Sequence, residues 1–207
     1  MSTDVWDEKR ALRTQLRHMR ATRSGAAAEN ATEGLTRNLI DLVSSSQASA
    51  IACYLSSPVE PNTRPFLNWA FAQVITILFP IAREDGLLDW VIGDGESERT
   101  GLYGIPEVVG DIQPPIAIEQ VQLIIAPALA VDTEGNRLGK GRGYYDKVLG
   151  SMTAPPPTYA VVFDDEYLDH VPHASVDRHV DGVVTPTRIV TFPEMSHTRH
   201  TAAVISM

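Results

Sequence analysis

The feature that most constrains the fold is a series of short apolar runs separated by longer amphipathic or polar stretches. The strongest run is VQLIIAP at residues 121–127, where apolar residues continue with little polar alternation. Runs of this kind are typical of strands that are buried on both faces of a parallel sheet. Comparable runs occur at residues 48–55, 74–80, 87–93, 158–163, 182–185 and 188–192.

Helical periodicity fills much of the chain between these runs. In residues 5–22, Leu12, Leu16 and Met19 recur at helical spacing and form an apolar stripe beside a cationic one. Strands that alternate with helices predict an α/β fold, a single domain with a largely parallel sheet flanked by helices on both faces. The further predicted helices span residues 26–43, 61–72 and 144–152.

Length and composition indicate one domain over residues 1–192. The chain has 207 residues, of which 43% are hydrophobic, and this is enough to bury one substantial core. Residues 105–120 contain three prolines and are predicted to form an irregular connection. Residues 193–207 show no periodicity and are predicted to form a flexible C-terminal tail.

Charge and cysteine content limit the partners and the compartment. The formal net charge is -9, so the overall field does not attract DNA or an anionic membrane, and any anionic ligand needs a local cluster of cations. The single cysteine, Cys53, cannot form an internal disulfide. No signal peptide is recognisable, and no apolar run reaches the roughly 20 residues that a membrane helix needs. We therefore expect a cytoplasmic monomer without nucleic-acid or membrane partners.

The most unusual stretch is GNRLGKGRGYYD at residues 135–146. Its glycines alternate with cations, and glycine lets backbone N–H groups approach a ligand closely. Successive amides form a concave site for phosphate oxygens, to which the cations would add charge-assisted hydrogen bonds. The spacing fits neither the Rossmann nor the Walker motif, and a flexible surface turn is the alternative. The stretch begins with Gly135, the glycines that alternate with cations are Gly139, Gly141 and Gly143, and the cations are Arg137, Lys140 and Arg142.

The stretch PALAVDTEGNRLGKGRGYYDKVL at residues 127–149 resembles the signature of 5-formyltetrahydrofolate cyclo-ligases. That motif runs roughly P-x-x-A-F-D-x-x-G-x-R-L-G-x-G-x-G-Y-Y-D. Shorter segments resemble other family elements in the same order along the chain. They are Lys9 and Arg13 (an N-terminal K-x-x-x-R), YLSSPVEPNT at 54–63, GIPEV at 104–108, and Asp177.

The sequence departs from the family pattern at three places. Val131 stands where the family usually has phenylalanine, and Val108 replaces the usual proline after Glu107. The segment PHASVD at residues 172–177 lacks the glutamate that many members carry between its proline and its aspartate. The last departure bears on metal binding.

The resemblance implies an ATP-dependent reaction. 5-Formyltetrahydrofolate would be converted to 5,10-methenyltetrahydrofolate through a phosphorylated formyl intermediate, with release of ADP and phosphate. ATP would be the co-substrate and Mg²⁺ the metal cofactor. The expected work of the protein is positioning and charge neutralisation, as in phosphoryl transfer generally.

The resemblance also implies a set of site residues. Lys140, Arg142 and Tyr144 are the expected catalytic residues. Asp146 and Asp177 are the expected metal ligands. The expected ATP contacts are Lys9, Arg13, Arg137, Leu138, Gly139, Lys140, Gly141, Arg142, Gly143, Tyr144 and Tyr145. The expected substrate contacts are Leu55, Glu60, Lys140, Gly141, Arg142, Gly143 and Tyr144.

Three other interpretations stay open. The cations of the first helix could contact nucleic acid, or, for Arg17 and Arg20, could form a solvated helix face instead of contacting ATP. A metal-hydrolase site could be formed by His170, His173 and His179 with Asp177 and Asp181, although the spacing fits no standard zinc signature. A nucleotide- or folate-binding protein without ligase activity is the main alternative to an enzyme.

Overall fold

The structure is a computed structural model that describes residues 4–95 and 97–193. Its α-helices are α1 (Val5–Ala21), α2 (Gly25–Ser46), α3 (Arg64–Ala72) and α4 (Tyr144–Ser151). Its strands are β1 (Ala50–Cys53), β2 (Thr76–Ala82), β3 (Leu88–Ile92), β4 (Glu98–Thr100), β5 (Pro106–Val108), β6 (Asp111–Gln113), β7 (Leu123–Pro127), β8 (Ala130–Asp132), β9 (Arg137–Leu138), β10 (Thr158–Val161), β11 (Tyr167–Leu168), β12 (Gly182–Val184) and β13 (Ile189–Thr191).

The main sheet has eight strands in the order β13-β12-β10-β7-β1-β2-β3-β6. The strands β12, β10, β7, β1 and β2 are parallel, and the antiparallel strands lie toward the edges. Strand β1 lies between β2, which follows it through α3, and β7, which returns on its other side. This reversal of strand order opens a crevice beyond the carboxyl ends of β1 and β7, the usual place of a ligand in such sheets.

Helices cover both faces of the main sheet, as predicted. Successive residues of a strand point to opposite faces. Ile51 and Cys53 pack with α2 and α3, whereas Ala52 packs with α4 and with a 3₁₀ helix at Pro115–Gln120. The predicted α/β fold with a largely parallel sheet is therefore confirmed.

Helix α1 packs on a smaller sheet, ordered β11-β8-β9, that lies after β7 in the chain. The predicted apolar stripe does this packing, with Leu16 fully buried and Leu12 and Met19 partly buried. Leu129 and Val171 complete this cluster. The N-terminal helix therefore depends for its position on segments more than a hundred residues away.

The prediction for residues 105–120 was wrong. Instead of an irregular connection, the segment contains β5, β6 and the 3₁₀ helix Pro115–Gln120. Its prolines are tolerated because Pro106 begins a strand and Pro115 begins the 3₁₀ helix, positions that need no N–H donor. The predicted tail, apart from Pro193, lies outside the described residues. Among the helices that the structure describes, none is long and apolar enough to cross a membrane.

A buried ion pair joins the end of α1 to the loop after β10. Arg20 donates from Nε and Nη2 to the two carboxylate oxygens of Glu166, at 2.7 and 2.8 Å, and from Nη2 to the carbonyl of Ala128 at 2.7 Å. Both side chains are almost fully buried. Burial alone would lower the pKa of Arg20, but the hydrogen bonds and charge of Glu166 outweigh it and raise that pKa. Arg20 is therefore a structural residue, neither part of a solvated face nor a nucleotide contact.

We predict that Arg20→Met lowers the free energy of unfolding by about 3–5 kcal/mol, because it leaves the Glu166 carboxylate buried without its partner. The control is Arg37→Met, which breaks the exposed α2 pair between Arg37 and Glu33 and should have little effect. Urea unfolding of both variants measures the difference. Equal, small losses would contradict a buried pair that fixes α1.

Candidate active site

A cavity of about 420 Å³ lies at the carboxyl ends of β1, β2 and β7, where the strand order reverses. Tyr54 and Leu55 enter it directly after β1, and Pro127 enters it at the end of β7. Lys9 and Arg13 reach it from α1. The segment between β9 and α4 forms much of the remaining wall. Segments from both halves of the chain thus line the cavity.

All of the predicted site residues except Leu138 line this cavity. They are Lys9, Arg13, Leu55, Glu60, Arg137, Gly139, Lys140, Gly141, Arg142, Gly143, Tyr144, Tyr145, Asp146 and Asp177. The Leu138 side chain is fully buried in the cluster under α1, and its carbonyl accepts a hydrogen bond from Leu129 at 2.7 Å. Leu138 anchors the start of the loop and presents no side chain to a ligand in the cavity.

Residues 139–143, here called the glycine loop, need glycine for two different reasons. Gly141 and Gly143 have φ angles of +101° and +68°, which most side chains disfavour. At Gly139 the constraint is space, because a Cβ atom would lie 2.9 Å from Nη1 of Arg137. Gly143 is also the N-cap residue, directly before α4. The alternating glycines therefore fix a specific backbone path.

Arginines of α1 hold the glycine loop by its carbonyl groups. Arg13 donates from Nε to the carbonyl of Gly139 at 3.0 Å, and Arg17 donates from Nη2 to the carbonyl of Lys140 at 3.0 Å. Burial and the nearby charge of Arg17 lower the pKa of Arg13. Arg17 thus contacts the loop backbone, a role that the sequence did not predict.

An ion pair spans the cavity between Lys140 and Glu60. Nζ of Lys140 lies 2.9 Å from Oε1 of Glu60, whose side chain is only 3% exposed. The other oxygen, Oε2, accepts hydrogen bonds from the backbone N–H and hydroxyl of Ser57 at 2.9 and 2.8 Å. Ser57 thereby orients the carboxylate, and Oε1 is its oxygen on the side of Lys140.

The two predicted metal ligands flank the cations of the cavity. Asp146 accepts hydrogen bonds from Arg137 at 3.1 Å and from the backbone N–H of Arg178 at 3.2 Å. Asp177 pairs with Lys9 and accepts from the backbone N–H of Ala174 at 2.6 Å. No three His, Cys, Asp or Glu side chains of the described residues are grouped to hold a metal ion. Two carboxylates beside a polycationic cavity suit Mg²⁺ that arrives with phosphate oxygens, because Mg²⁺ often has one or two protein ligands.

The histidines form no metal-ligand group in the part of the chain that the structure describes. The rings of His170 and His173 contact each other, with centroids 6.2 Å apart, and those of His173 and His179 are 6.3 Å apart. None of the three lines the cavity. The structure therefore gives no support to a metal-hydrolase site.

Several cavity contacts were not predicted from the sequence. The Arg142 guanidinium lies 3.8 Å from the ring centre of Tyr103, and the Tyr144 hydroxyl donates to the carbonyl of Arg83 at 2.8 Å. Burial, then hydrogen bonding with Tyr103, raises the pKa of Tyr144. Tyr54 also lines the cavity and was missed. Its place directly before the predicted Leu55, at the end of a strand, is the signal that could have found it.

The model of the 5-formyltetrahydrofolate cyclo-ligase family matches residues 5–186. The chain belongs to this family. The cyclo-ligase match covers nearly all of the described residues, including every predicted site residue. The matched region therefore includes the helix α1, the glycine loop and Asp177.

Relatives within the cyclo-ligase family cover most of the chain. A 5-formyltetrahydrofolate cyclo-ligase of Mycolicibacterium smegmatis is 32% identical over 185 residues, 87% of this chain and 94% of its own length. One of Haemophilus influenzae is 26% identical, over 69% of this chain and 78% of its own length.

Solved structures share the fold. The 5,10-methenyltetrahydrofolate synthetase of Aquifex aeolicus matches with a TM-score of 0.74 and 24% identity, over 93% of this chain and 98% of that one. The synthetase of Mycoplasma pneumoniae matches with a TM-score of 0.71 and 18% identity, over 86% of this chain and 99% of that one. The likeness supports the architecture described above.

We predict that Gly143→Val lowers the free energy of unfolding by about 1–3 kcal/mol, because a β-branched residue is strained at positive φ. Gly143→Asn should cost less, since asparagine tolerates this conformation. The control is Gly25→Val at the start of α2, where a Cβ also meets nothing within 4 Å and φ is not positive. Urea unfolding compares the three variants. Equal losses at Gly143 and Gly25 would contradict the described loop conformation.

Proposed function

We propose that this protein is a 5-formyltetrahydrofolate cyclo-ligase, which uses ATP to convert 5-formyltetrahydrofolate to 5,10-methenyltetrahydrofolate. The observation that carries the proposal is the meeting of three distant segments at one cavity: the cations of α1, the loop that bears Glu60, and the glycine loop. Membership of the family supports the same reaction.

The charges of the cavity suit a polyphosphate. Six cations line it, although the chain as a whole is acidic, and they face three carboxylates. In our proposal, Lys9, Arg13 and Arg137 hold the phosphates of ATP together with the amides of the glycine loop. The other lining cations are Lys140, Arg142 and Lys147, and the carboxylates are Glu60, Asp146 and Asp177.

The other side of the cavity suits a reduced pterin. Leu55, Tyr54 and Tyr145 offer apolar surface beside Glu60. The amino-pyrimidine edge of a pterin is rich in N–H donors, and the oriented Glu60 carboxylate would accept from them. Tyr144, whose hydroxyl is held by the Arg83 carbonyl, would place its ring against the pterin.

The proposed reaction needs two ligands held close together with their charges neutralised. The formyl oxygen attacks the terminal phosphorus of ATP, and ADP leaves as the O–P bond forms. The N10 nitrogen then attacks the activated formyl carbon and loses its proton as phosphate leaves. Lys140 and Arg142, next to one another in the glycine loop, would neutralise the transferred phosphoryl group. The cavity would hold N10 near the formyl carbon.

Magnesium fits this arrangement as a companion of ATP. Bound at the phosphates, it would supply positive charge to the transferred group. Asp146 and Asp177 are the residues that would hold it, each already oriented by a backbone N–H group. The residues between Pro172 and Asp177 add no further carboxylate.

We also propose that the protein acts as a monomer in the cytoplasm. Cys53 is a free, buried thiol, and burial raises its pKa, which keeps it protonated and unreactive. A thiol of this kind suits a reducing compartment.

The proposal is tested by incubating the purified protein with ATP, MgCl₂ and 5-formyltetrahydrofolate and following the absorbance of the methenyl product. Product should form only when all three are present. Lys140→Ala should remain folded by circular dichroism and lose most of the turnover. Binding of ATP and the folate without product would instead identify a binding protein without ligase activity.

We predict that Asp146→Asn raises the Mg²⁺ concentration needed for half-maximal turnover by about tenfold or more, because it removes one negative ligand. The control is Asp165→Asn, which changes an exposed carboxylate that pairs with Arg23 outside the cavity. A magnesium titration at saturating ATP measures both variants. Identical titration curves for the two variants and the wild type would remove Asp146 from the metal site.

A further inference from the structure

The Tyr54 hydroxyl is a buried polar group without a partner. The residue is 4% exposed, and its hydroxyl oxygen has no hydrogen-bond partner within residues 4–95 and 97–193. Buried hydroxyls are nearly always hydrogen-bonded, because leaving one unpaired is costly. Tyr54 is such an exception, in a residue that lines the cavity.

Tyr54 lies at the side of the cavity that, in our proposal, holds the pterin. Tyr54 follows β1 directly and lines the cavity together with Glu60 and Tyr145. Burial raises the pKa of Tyr54 well above its ordinary value, and the charge of Glu60 adds to this effect. The phenol therefore stays protonated and keeps a hydrogen to donate.

The chemistry of a pterin edge matches the two neighbouring groups. On the pyrimidinone ring, the 4-oxo group is an acceptor, and it stands beside two donors, the N3–H and the 2-amino group. Glu60 presents an acceptor, Oε1, which lies 2.9 Å from Nζ of Lys140 as an ion pair but accepts no hydrogen bond from the described residues. A donor is needed next to that carboxylate to pair with the 4-oxo group.

We propose that the Tyr54 hydroxyl donates a hydrogen bond to the 4-oxo oxygen of the pterin while Glu60 accepts from its N3–H and 2-amino groups. The inference rests on the proposed function and adds to it a residue that determines substrate affinity. Tyr54 is a binding residue for the ring and takes no part in phosphoryl transfer.

The test is Tyr54→Phe, which removes the hydroxyl and keeps the ring. We expect the KM for 5-formyltetrahydrofolate to rise about fivefold to tenfold, as for the loss of one hydrogen bond. The KM for ATP should not change. Without ligand, the variant should be at least as stable as the wild type, because it has lost an unpaired buried hydroxyl.

The control is Tyr159→Phe, which removes a partnered hydroxyl outside the cavity. The Tyr159 hydroxyl lies 2.8 Å from Oγ1 of Thr191. This variant should lose stability in urea unfolding and leave both KM values unchanged. A loss of stability in Tyr159→Phe but not in Tyr54→Phe distinguishes a hydroxyl that binds a ligand from one that stabilises the fold.

Titration calorimetry of 5-formyltetrahydrofolate without ATP separates the two proposals. If the wild type neither binds nor converts this folate, the proposed function itself fails. If the wild type does both and Tyr54→Phe leaves the folate affinity and KM unchanged, the inference about Tyr54 alone is overturned. A stability loss in Tyr54→Phe as large as that in Tyr159→Phe would also overturn it.

Discussion

The position of α1 is the constraint on which the site depends. The buried pair between Arg20 and Glu166 fixes one end of the helix, and the other end carries Lys9 and Arg13 into the cavity. At a rise of about 1.5 Å per residue, Arg13 lies roughly 10 Å along the helix from that anchor. Because the helix is rigid, fixing its end at Arg20 also fixes the positions of Lys9 and Arg13. The same stripe of cations thus holds the fold together at one end and lines the cavity at the other.

Carboxylates partly neutralise the positive charge that is concentrated in the cavity. Glu60 pairs with Lys140, Asp146 with Arg137, and Asp177 with Lys9. Without these carboxylates, repulsion among the cations of the cavity would destabilise the fold. A polyphosphate ligand would add negative charge to the same cluster. Such a ligand would enter a site whose cations are already paired, and it would lower the repulsion among them.

The parts of the fold that could be predicted are those set by local pattern. Buried parallel strands appear as apolar runs, and α1 shows its apolar stripe at helical spacing. Strands β8, β9 and β11 have only two or three residues each, and the pairing of β8 with β11 joins segments that are well separated in sequence. A local pattern of that length contains too little information to identify them.

The residues that line the cavity were predictable to a similar degree and for similar reasons. The glycine loop is continuous in sequence, so its residues could be named from the motif. Leu138 was placed among the ligand contacts because it lies in that motif, yet neighbouring residues of a strand face opposite ways, and only Arg137 reaches the cavity. The partner of Arg20 lies 146 residues away, and the missing partner of Tyr54 is a property of packing. Neither can be seen in a local sequence.

The buried pair between Arg20 and Glu166 also limits how this chain can change in evolution. Losing one partner strands a charge in the interior, whereas replacing both with apolar residues of similar size is often neutral or even favourable. The two positions can therefore be substituted together, whereas a substitution at only one of them is destabilising. Descendants of this sequence would be expected to keep both residues or to exchange both. A substitution at one position should therefore be accompanied by a substitution at the other.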